Sequence, residues 1–341
     1  MMTCPSLNAT FDASLVDLSA HQMQDSESFS TTETEIHDMD STQDRPSNKS
    51  TAPKTSSSSA PAPQRSVWKE PHMPVRYMDT TSAYDAWASV YDKDGNILQA
   101  IDDMEMEKLL PQFLDLIFPS ALGEQAMNEP LRFTDLGCGT GRNTMKLLKF
   151  PWDQRLPDAT QVNVVGVDAS AKMLDEARKK LGTTTKSATR VDLNLVQHDI
   201  LHPNDPSSSP HALPRPAHGV ISTLVVEHVP LPGFFQSLSR LLRPGGYALV
   251  TNMHPDMGAK AQAGFVSTDE EGRKIKVRGK SWTHGIEETV YAAQREGLAV
   301  IGNVLERAVD EEMLRDGRAS ERGRKWIGSE VWFGVVLQKR R

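Results

Sequence analysis

Five short apolar runs recur through the middle of this chain: Leu131–Leu136, Val162–Val167, Leu193–Gln197, Gly219–Val226 and Tyr247–Asn252. Each is bounded by turn residues, and helical stretches lie between them. The runs are rich in β-branched residues and carry almost no polar alternation, as strands covered on both faces do. The stretches between them have their own punctuation. Thr144–Phe150 closes at Pro151, Ser170–Leu181 opens on a serine able to cap it, and Pro232–Leu242 closes at Pro244-Gly245-Gly246. Strand–helix repetition of this kind predicts an α/β fold, an open and mostly parallel sheet with helices on both faces. Ala299–Leu305 and Val331–Gln338 alternate enough to make a terminal antiparallel pair, bringing the sheet to seven strands.

Composition locates the ends of this pattern. Residues 1–70 are dense in Ser and Thr, with an acidic patch from Glu33 to Asp40 and the run Ser56-Ser57-Ser58-Ser59-Ala60-Pro61-Ala62-Pro63. Such a stretch buries too little apolar surface to offset its ordering entropy, so a disordered tail is expected there. Residues 71–341 then form the folded domain. Two amphipathic helices, Ser82–Val90 and Glu105–Phe118, are expected to make a helical lid over about 77–118, and Pro203–Pro216 reads as a surface loop. The net charge of −7 repels polyanions, and the basic stretch Arg315–Lys325 is interrupted by Asp316 and Glu321, so no nucleic-acid partner is expected. Cys4 and Cys138 are too few for a disulfide scaffold or a zinc site, and no metal is expected. No run is long enough to span a bilayer and the first basic residue is Arg45, which points to a cytoplasmic protein with no membrane partner.

In a parallel sheet, ligands sit outside the carboxyl ends of the strands. The first run ends in Asp135-Leu136-Gly137-Cys138-Gly139-Thr140-Gly141, whose alternate glycines let the backbone approach a bulky ligand. The second ends at Asp168, where a carboxylate can accept from both hydroxyls of a ribose, and the third at Asp199, which can take a hydrogen from an adenine amino group. Together they describe a pocket for an adenosine without a pyrophosphate. Arg142 occupies the position where the dinucleotide fingerprint requires its last glycine, and the phosphate-cradling G-x-x-x-x-G-K-[ST] is absent.

These motifs, with the Leu241-Leu242-Arg243-Pro244-Gly245-Gly246 turn, resemble the class I S-adenosylmethionine-dependent methyltransferases over about Ser82 to Gln338. The resemblance implies a Rossmann-like fold and S-adenosyl-L-methionine as cofactor. Tyr84–Asp92, Asn252–Gly258, Gly264-Phe265-Val266 and Glu330–Gly334 are similar to small-molecule methyltransferases of bacteria and of fungal secondary metabolism. Among these are enzymes that methylate thiols of epidithiodiketopiperazines. By the resemblance, the cofactor site would comprise Asp135, Gly137, Cys138, Gly139, Gly141, Asp168, Ala169, Met173, Asp199 and Ile200. The glycine loop would hold the methionine portion, Asp168 the ribose and Asp199 the adenine. One departure is His218, where the family's fourth strand often begins with Asp.

Methyl transfer from a sulfonium is an in-line displacement, so alignment and exclusion of water carry most of it. A phenol, protonated amine or thiol acceptor must also lose a proton. The candidate bases follow the fourth and fifth runs: His228, and His254 beside Asp256, of which His254 is favoured. His284 could also border the pocket. Tyr84, Trp87 and Tyr91 share a helix face; they either pack against the sheet or bring Tyr84 or Tyr91 onto the cofactor. The turn Glu227-His228-Val229-Pro230 lacks the Asn/Asp-Pro-Pro-aromatic grip of base-methylating enzymes, and it has one glutamate where protein arginine methyltransferases pair two. A small-molecule acceptor is therefore expected. The other reading is a cofactor-binding regulator or pathway scaffold without turnover.

Overall fold

The computed structural model describes residues 73–121, 129–157, 160–182, 190–200 and 214–341. The expected tail over 1–70, and the Pro203–Pro216 loop up to residue 213, lie outside the described residues. The central sheet has seven strands in the spatial order β4 (Val191–Gln197), β3 (Val162–Asp168), β2 (Leu131–Leu136), β5 (Ala217–Thr223), β6 (Leu242–Met253), β10 (Glu330–Lys339) and β9 (Leu298–Ala308). Neighbours from β4 to β6 are parallel, and β10 runs antiparallel to both β6 and β9. This is the expected Rossmann-like sheet with its C-terminal antiparallel pair.

Helices α2 (Ile97–Ala121), α3 (Arg142–Lys149) and α4 (Ala171–Leu181) feed one core, and α5 (Leu231–Leu241) and α7 (Ile286–Arg295) the other. Adjacent strand residues serve opposite cores. Ile221 joins Phe113 and Leu147, while Val220 joins Phe234 and Leu238. Both faces of the strands are thus covered, which is why their sequences are apolar without alternation. The chain runs from β2 outward through β3 to β4 and then returns to β5 on the other side of β2. A crevice opens where the strand order reverses, at the carboxyl ends of β2 and β5.

Ser170 caps α4 as expected, its hydroxyl accepting from the Met173 amide at 3.0 Å. His218 also has a structural task. Its Nδ1 accepts from the Arg132 amide at 3.1 Å, tying β5 to β2, and burial pushes its pKa down to about 4, so the ring is neutral and able to accept.

Several boundaries differ from expectation. Helix α1 (Thr80–Trp87) stops before Val90, and α2 starts at Ile97 rather than Glu105. The early turns of α2 look polar because they contain Gln99, Asp102 and Asp103, yet Asp102 is fully buried. The fourth strand ends at Thr223, not Val226. Leu224 takes φ +57 and Val226–His228 forms a 3-10 turn, so the apolar run continues through a break in the strand. A second sheet was not anticipated: β1 (Val75–Tyr77), β8 (Lys274–Arg278) and β7 (Gly264–Thr268), on which Trp87 of α1 packs through Phe265 and Val277. The short helices α6 (Pro255–Gly258) and α8 (Glu311–Arg315) follow β6 and β9.

Candidate active site

A cavity of about 740 Å³ occupies the crevice at the strand ends, within the size range of small-molecule sites. Its floor is the turn after β2. There Gly137 and Cys138 donate their amides to the Val167 carbonyl at 2.7 and 3.0 Å, drawing the turn over the end of β3. Gly139 adopts φ +53, and a Cβ built on it would meet nothing within 4 Å. It lies on the cavity wall, so any side chain there would enter the space a ligand needs.

Asp168, at the end of β3, accepts from the Gly139 amide at 2.7 Å through Oδ2 and from the Ser170 amide at 2.8 Å through Oδ1. Burial pushes its carboxyl up to about 6, and these amides pull it back in part. Asp199 and Ile200 after β4 line the same cavity, as do Ala169 and Met173 around the start of α4.

Helix α1 lines the cavity with Thr80, Thr81 and Tyr84 and is tied to α4 through Asp85. Asp85 accepts from the Ser170 hydroxyl at 2.5 Å and from the Lys172 amide at 3.1 Å. Just beyond α1, Asp92 accepts from the Thr140 hydroxyl at 2.6 Å and pairs with Lys180 at 2.5 Å. Tyr84 and Tyr91 both line the cavity. The Tyr84 hydroxyl sits 2.6 Å from His228 Nε2, and His228 Nδ1 lies 3.3 Å from the Lys280 carbonyl. A carbonyl only accepts, so Nδ1 carries the proton and Nε2 takes the phenol's hydrogen. Burial pushes the imidazole pKa down to about 4 and raises that of the Tyr84 phenol, so both groups are neutral.

Four of the expected site residues lie elsewhere. Asp135 is buried beneath the turn and accepts from the Thr144 hydroxyl at 2.6 Å, joining β2 to α3. The Cys138 side chain points down onto β3, where a Cβ on Gly166 would come within 3.0 Å of its Sγ, and burial pushes its thiol up. Gly141 caps α3 with φ +78, and a Cβ there would strike Leu181 at 2.7 Å, so its smallness serves helix packing. His254, the favoured base, is not among the cavity residues. Its Nδ1 accepts from the Asp256 amide at 3.1 Å, capping α6, and its Nε2 faces Glu306 at 3.0 Å. Its Nδ1 lone pair serves the cap and its Nε2 is turned to Glu306, so neither nitrogen opens onto the cavity.

His284 is likewise held by the Val229 carbonyl at 3.0 Å, away from the cavity. His198, Leu224, Lys280 and Trp282 also line it, none of them among the expected site residues. For Trp282 the cue was the stretch Ser281-Trp282-Thr283-His284, in which nothing marks Trp282 over His284. Arg142 reaches back to Asp102 and Asp103 of α2 at 2.5 and 2.9 Å. Arginine at that position therefore serves to anchor α2, which packs into the sheet core and contributes no residue to this cavity's wall, unlike the lid expected over about 77–118.

Residues 134–248 match the model of a family described as a methyltransferase domain. Over 273 residues the chain is 43% identical to an uncharacterized methyltransferase of Emericella nidulans, a match spanning 76% of this chain and 91% of that one. Among solved structures it is similar to an S-adenosylmethionine-dependent methyltransferase of Clostridium acetobutylicum, at 16% identity and TM-score 0.46 over 76% of this chain and 99% of that one. Another from Mesorhizobium loti matches at 21% identity and TM-score 0.40, over 66% and 98% of the two chains.

Proposed function

Because the chain belongs to the class I S-adenosylmethionine-dependent methyltransferases, we propose that it methylates a small organic acceptor seated between α1 and the turn after β5. The observation that carries this reading is the cavity itself, at the strand-order reversal, with Gly139 facing open space and Asp168 and Asp199 on its walls. A nucleoside bearing an amino acid fits these donors and acceptors. In the proposal the glycine turn takes the amino-acid end, Asp168 the ribose hydroxyls and Asp199 the adenine amino group. Met173 and Ile200 supply apolar flanks. When bound, S-adenosylmethionine supplies an electrophilic methyl on a sulfonium.

What the protein adds is alignment, dryness and a route for a proton. Tyr84 and His228 meet at the cavity wall, where His228 Nε2 takes the hydrogen of the Tyr84 hydroxyl. A neutral imidazole suits a site that binds a cation, since a second positive charge would repel it. We assign the Tyr84–His228 pair as the route for the acceptor's departing proton. The Tyr84 oxygen takes that proton as it hands its own hydrogen to His228 Nε2, with the Lys280 carbonyl holding the tautomer. Tyr91 closes the wall beside them.

The segments around Tyr84–Asp92 and Asn252–Gly258 resemble enzymes of secondary metabolism, which supports an acceptor of that kind, methylated in the cytoplasm. Calorimetry with S-adenosylhomocysteine, followed by transfer of labelled methyl to a metabolite extract, tests the proposal. Binding with transfer is expected; binding without any transfer would favour a regulator. Gly139→Val should weaken nucleoside binding by at least about a hundredfold, roughly 3 kcal/mol, with the fold retained by circular dichroism. Unchanged affinity in that variant would refute the placement.

A further inference from the structure

A second cavity of about 30 Å³ lies behind the first, and the two share Tyr84, Tyr91 and Leu224 as walls. That volume suits one water molecule or one small head group. Leu224, held at φ +57, is the only non-glycine residue at positive φ among the described residues, and such strain gathers at functional positions.

Glu227 also lines this niche. It is 3% exposed, and its Oε2 has no hydrogen-bond partner. Its main chain, by contrast, is anchored on both sides: the amide donates to Asn252 Oδ1 at 3.2 Å and the carbonyl accepts from the Trp282 amide at 2.8 Å. The turn therefore does not depend on the carboxyl. His228 Nε2 stands 3.7 Å from Oε1, but that nitrogen accepts the Tyr84 hydrogen and carries no proton of its own. Burial pushes the Glu227 carboxyl up to about 7, and the backbone amides of Glu227 and Met253 pull it back only in part. His284 also favours the charged form, yet a sealed carboxylate with an unpartnered oxygen is unfavourable unless something bound supplies a donor.

The other walls indicate what that is. The rings of Tyr84, Trp87 and Tyr91 stand 5.0 to 5.8 Å apart in a cluster along the niche. Aromatic rings lining a niche beside a carboxylate favour a cationic nitrogen over a neutral hydroxyl or thiol. We infer that the niche holds the basic nitrogen of the acceptor, as an ammonium group paired with Glu227 and walled by Tyr84, Trp87 and Tyr91. The inference rests on the methyl-transfer reading of the large cavity and narrows its acceptor to an organic amine.

The test is a titration of the full chain with methylammonium chloride, followed by calorimetry and thermal midpoint. Methanol and potassium chloride at matched ionic strength serve as controls. It is run with and without saturating S-adenosylhomocysteine. Saturable methylammonium binding, absent for both controls, is expected, and Glu227→Gln should weaken it at least about tenfold with nucleoside affinity unchanged. Equal response to methanol, no methylammonium binding to the wild type, or full binding by the variant would each overturn the inference. The wild-type comparison stands even if the variant folds poorly. Failure of the nucleoside alone to bind would instead strike the methyl-transfer reading, because the cofactor-free titration still reports on the niche.

Discussion

Asp102 and Glu227 are both carboxylates sealed from water, close enough that Asp102 helps push the Glu227 carboxyl upward. Their surroundings are opposite. Asp102 is met by Arg142 and Thr251 at 2.5 Å, by Trp332 Nε1 at 2.8 Å and by Asn143 at 3.3 Å, so α2 is knotted to α3, β6 and β10. Glu227 has an oxygen with no partner and a wall of aromatic rings. Burial alone thus says nothing about role. A buried acid whose oxygens are both met by the chain is scaffold; a missing partner marks a ligand site only where a cavity reaches it. Asp135 Oδ1 also lacks a partner but lines neither cavity, whereas Glu227 walls the niche.

The sharpest way to break that contrast is to remove the scaffold acid. Asp102→Ala should cost about 3–5 kcal/mol, because it leaves Arg142 and the other donors sealed with one partner fewer. Urea denaturation measures it. A loss below about 1 kcal/mol would mean that four donors around a buried acid do not identify scaffold.

Glu227→Gln should behave differently, with an effect set by pH. In the folded chain the carboxyl titrates near 7 against 4.5 for an ordinary glutamate, so the folded state holds its proton more tightly than the unfolded one. The stabilisation is complete below pH 4.5 and lost as pH rises through about 7. The variant escapes this loss. Its stability relative to wild type should therefore climb by up to about 3 kcal/mol between those limits and then level off. Denaturation curves at several pH values give the slope; a difference flat with pH would show that Glu227 has a partner after all.

His228→Ala sharpens the comparison on the catalytic side. Removing the lone pair that meets Tyr84 should lower kcat about a hundredfold, near 3 kcal/mol, while S-adenosylhomocysteine affinity holds. Full turnover in the variant would leave alignment alone to carry the reaction.

The same contrast explains what could be read from the chain. Strand β2 is legible to the residue, and Ser170 as a cap, because each depends on local chemistry: an apolar run with turn signals, a hydroxyl before a helix. Asp168 and Asp199 are legible because strand ends are where a parallel sheet exposes ligands. The first turns of α2 are not, since Asp102 looks like a surface residue until four distant donors surround it. The β1-β8-β7 sheet escapes for a related reason. Lys274-Ile275-Lys276-Val277-Arg278 alternates charged with apolar residues, so its charged members look solvent-facing, while Lys276 and Arg278 are in fact buried. The acceptor end of the cavity depends on Leu224, whose left-handed turn interrupts an apolar run without any glycine to announce it.

The two histidines after β5 and β6 bring the argument to its smallest effect. From the chain alone, His254 and His228 are both candidate bases with an acid nearby, and His254 is favoured because it follows the fifth run. In the fold, His254 spends one nitrogen on the Asp256 amide and the other on Glu306 outside the cavity, whereas His228 meets the Tyr84 hydroxyl on the cavity wall. His254→Ala removes a cap from a helix of one turn, which should cost about 1 kcal/mol of stability. Its kcat and KM should stay within about a factor of two of wild type, since differences below roughly 0.5 kcal/mol are expected away from the reacting groups. A thermal midpoint lowered by a few degrees with unaltered turnover would match a cap. A large fall in kcat at unchanged stability would restore His254 as the base and require α6 to rearrange when substrate binds.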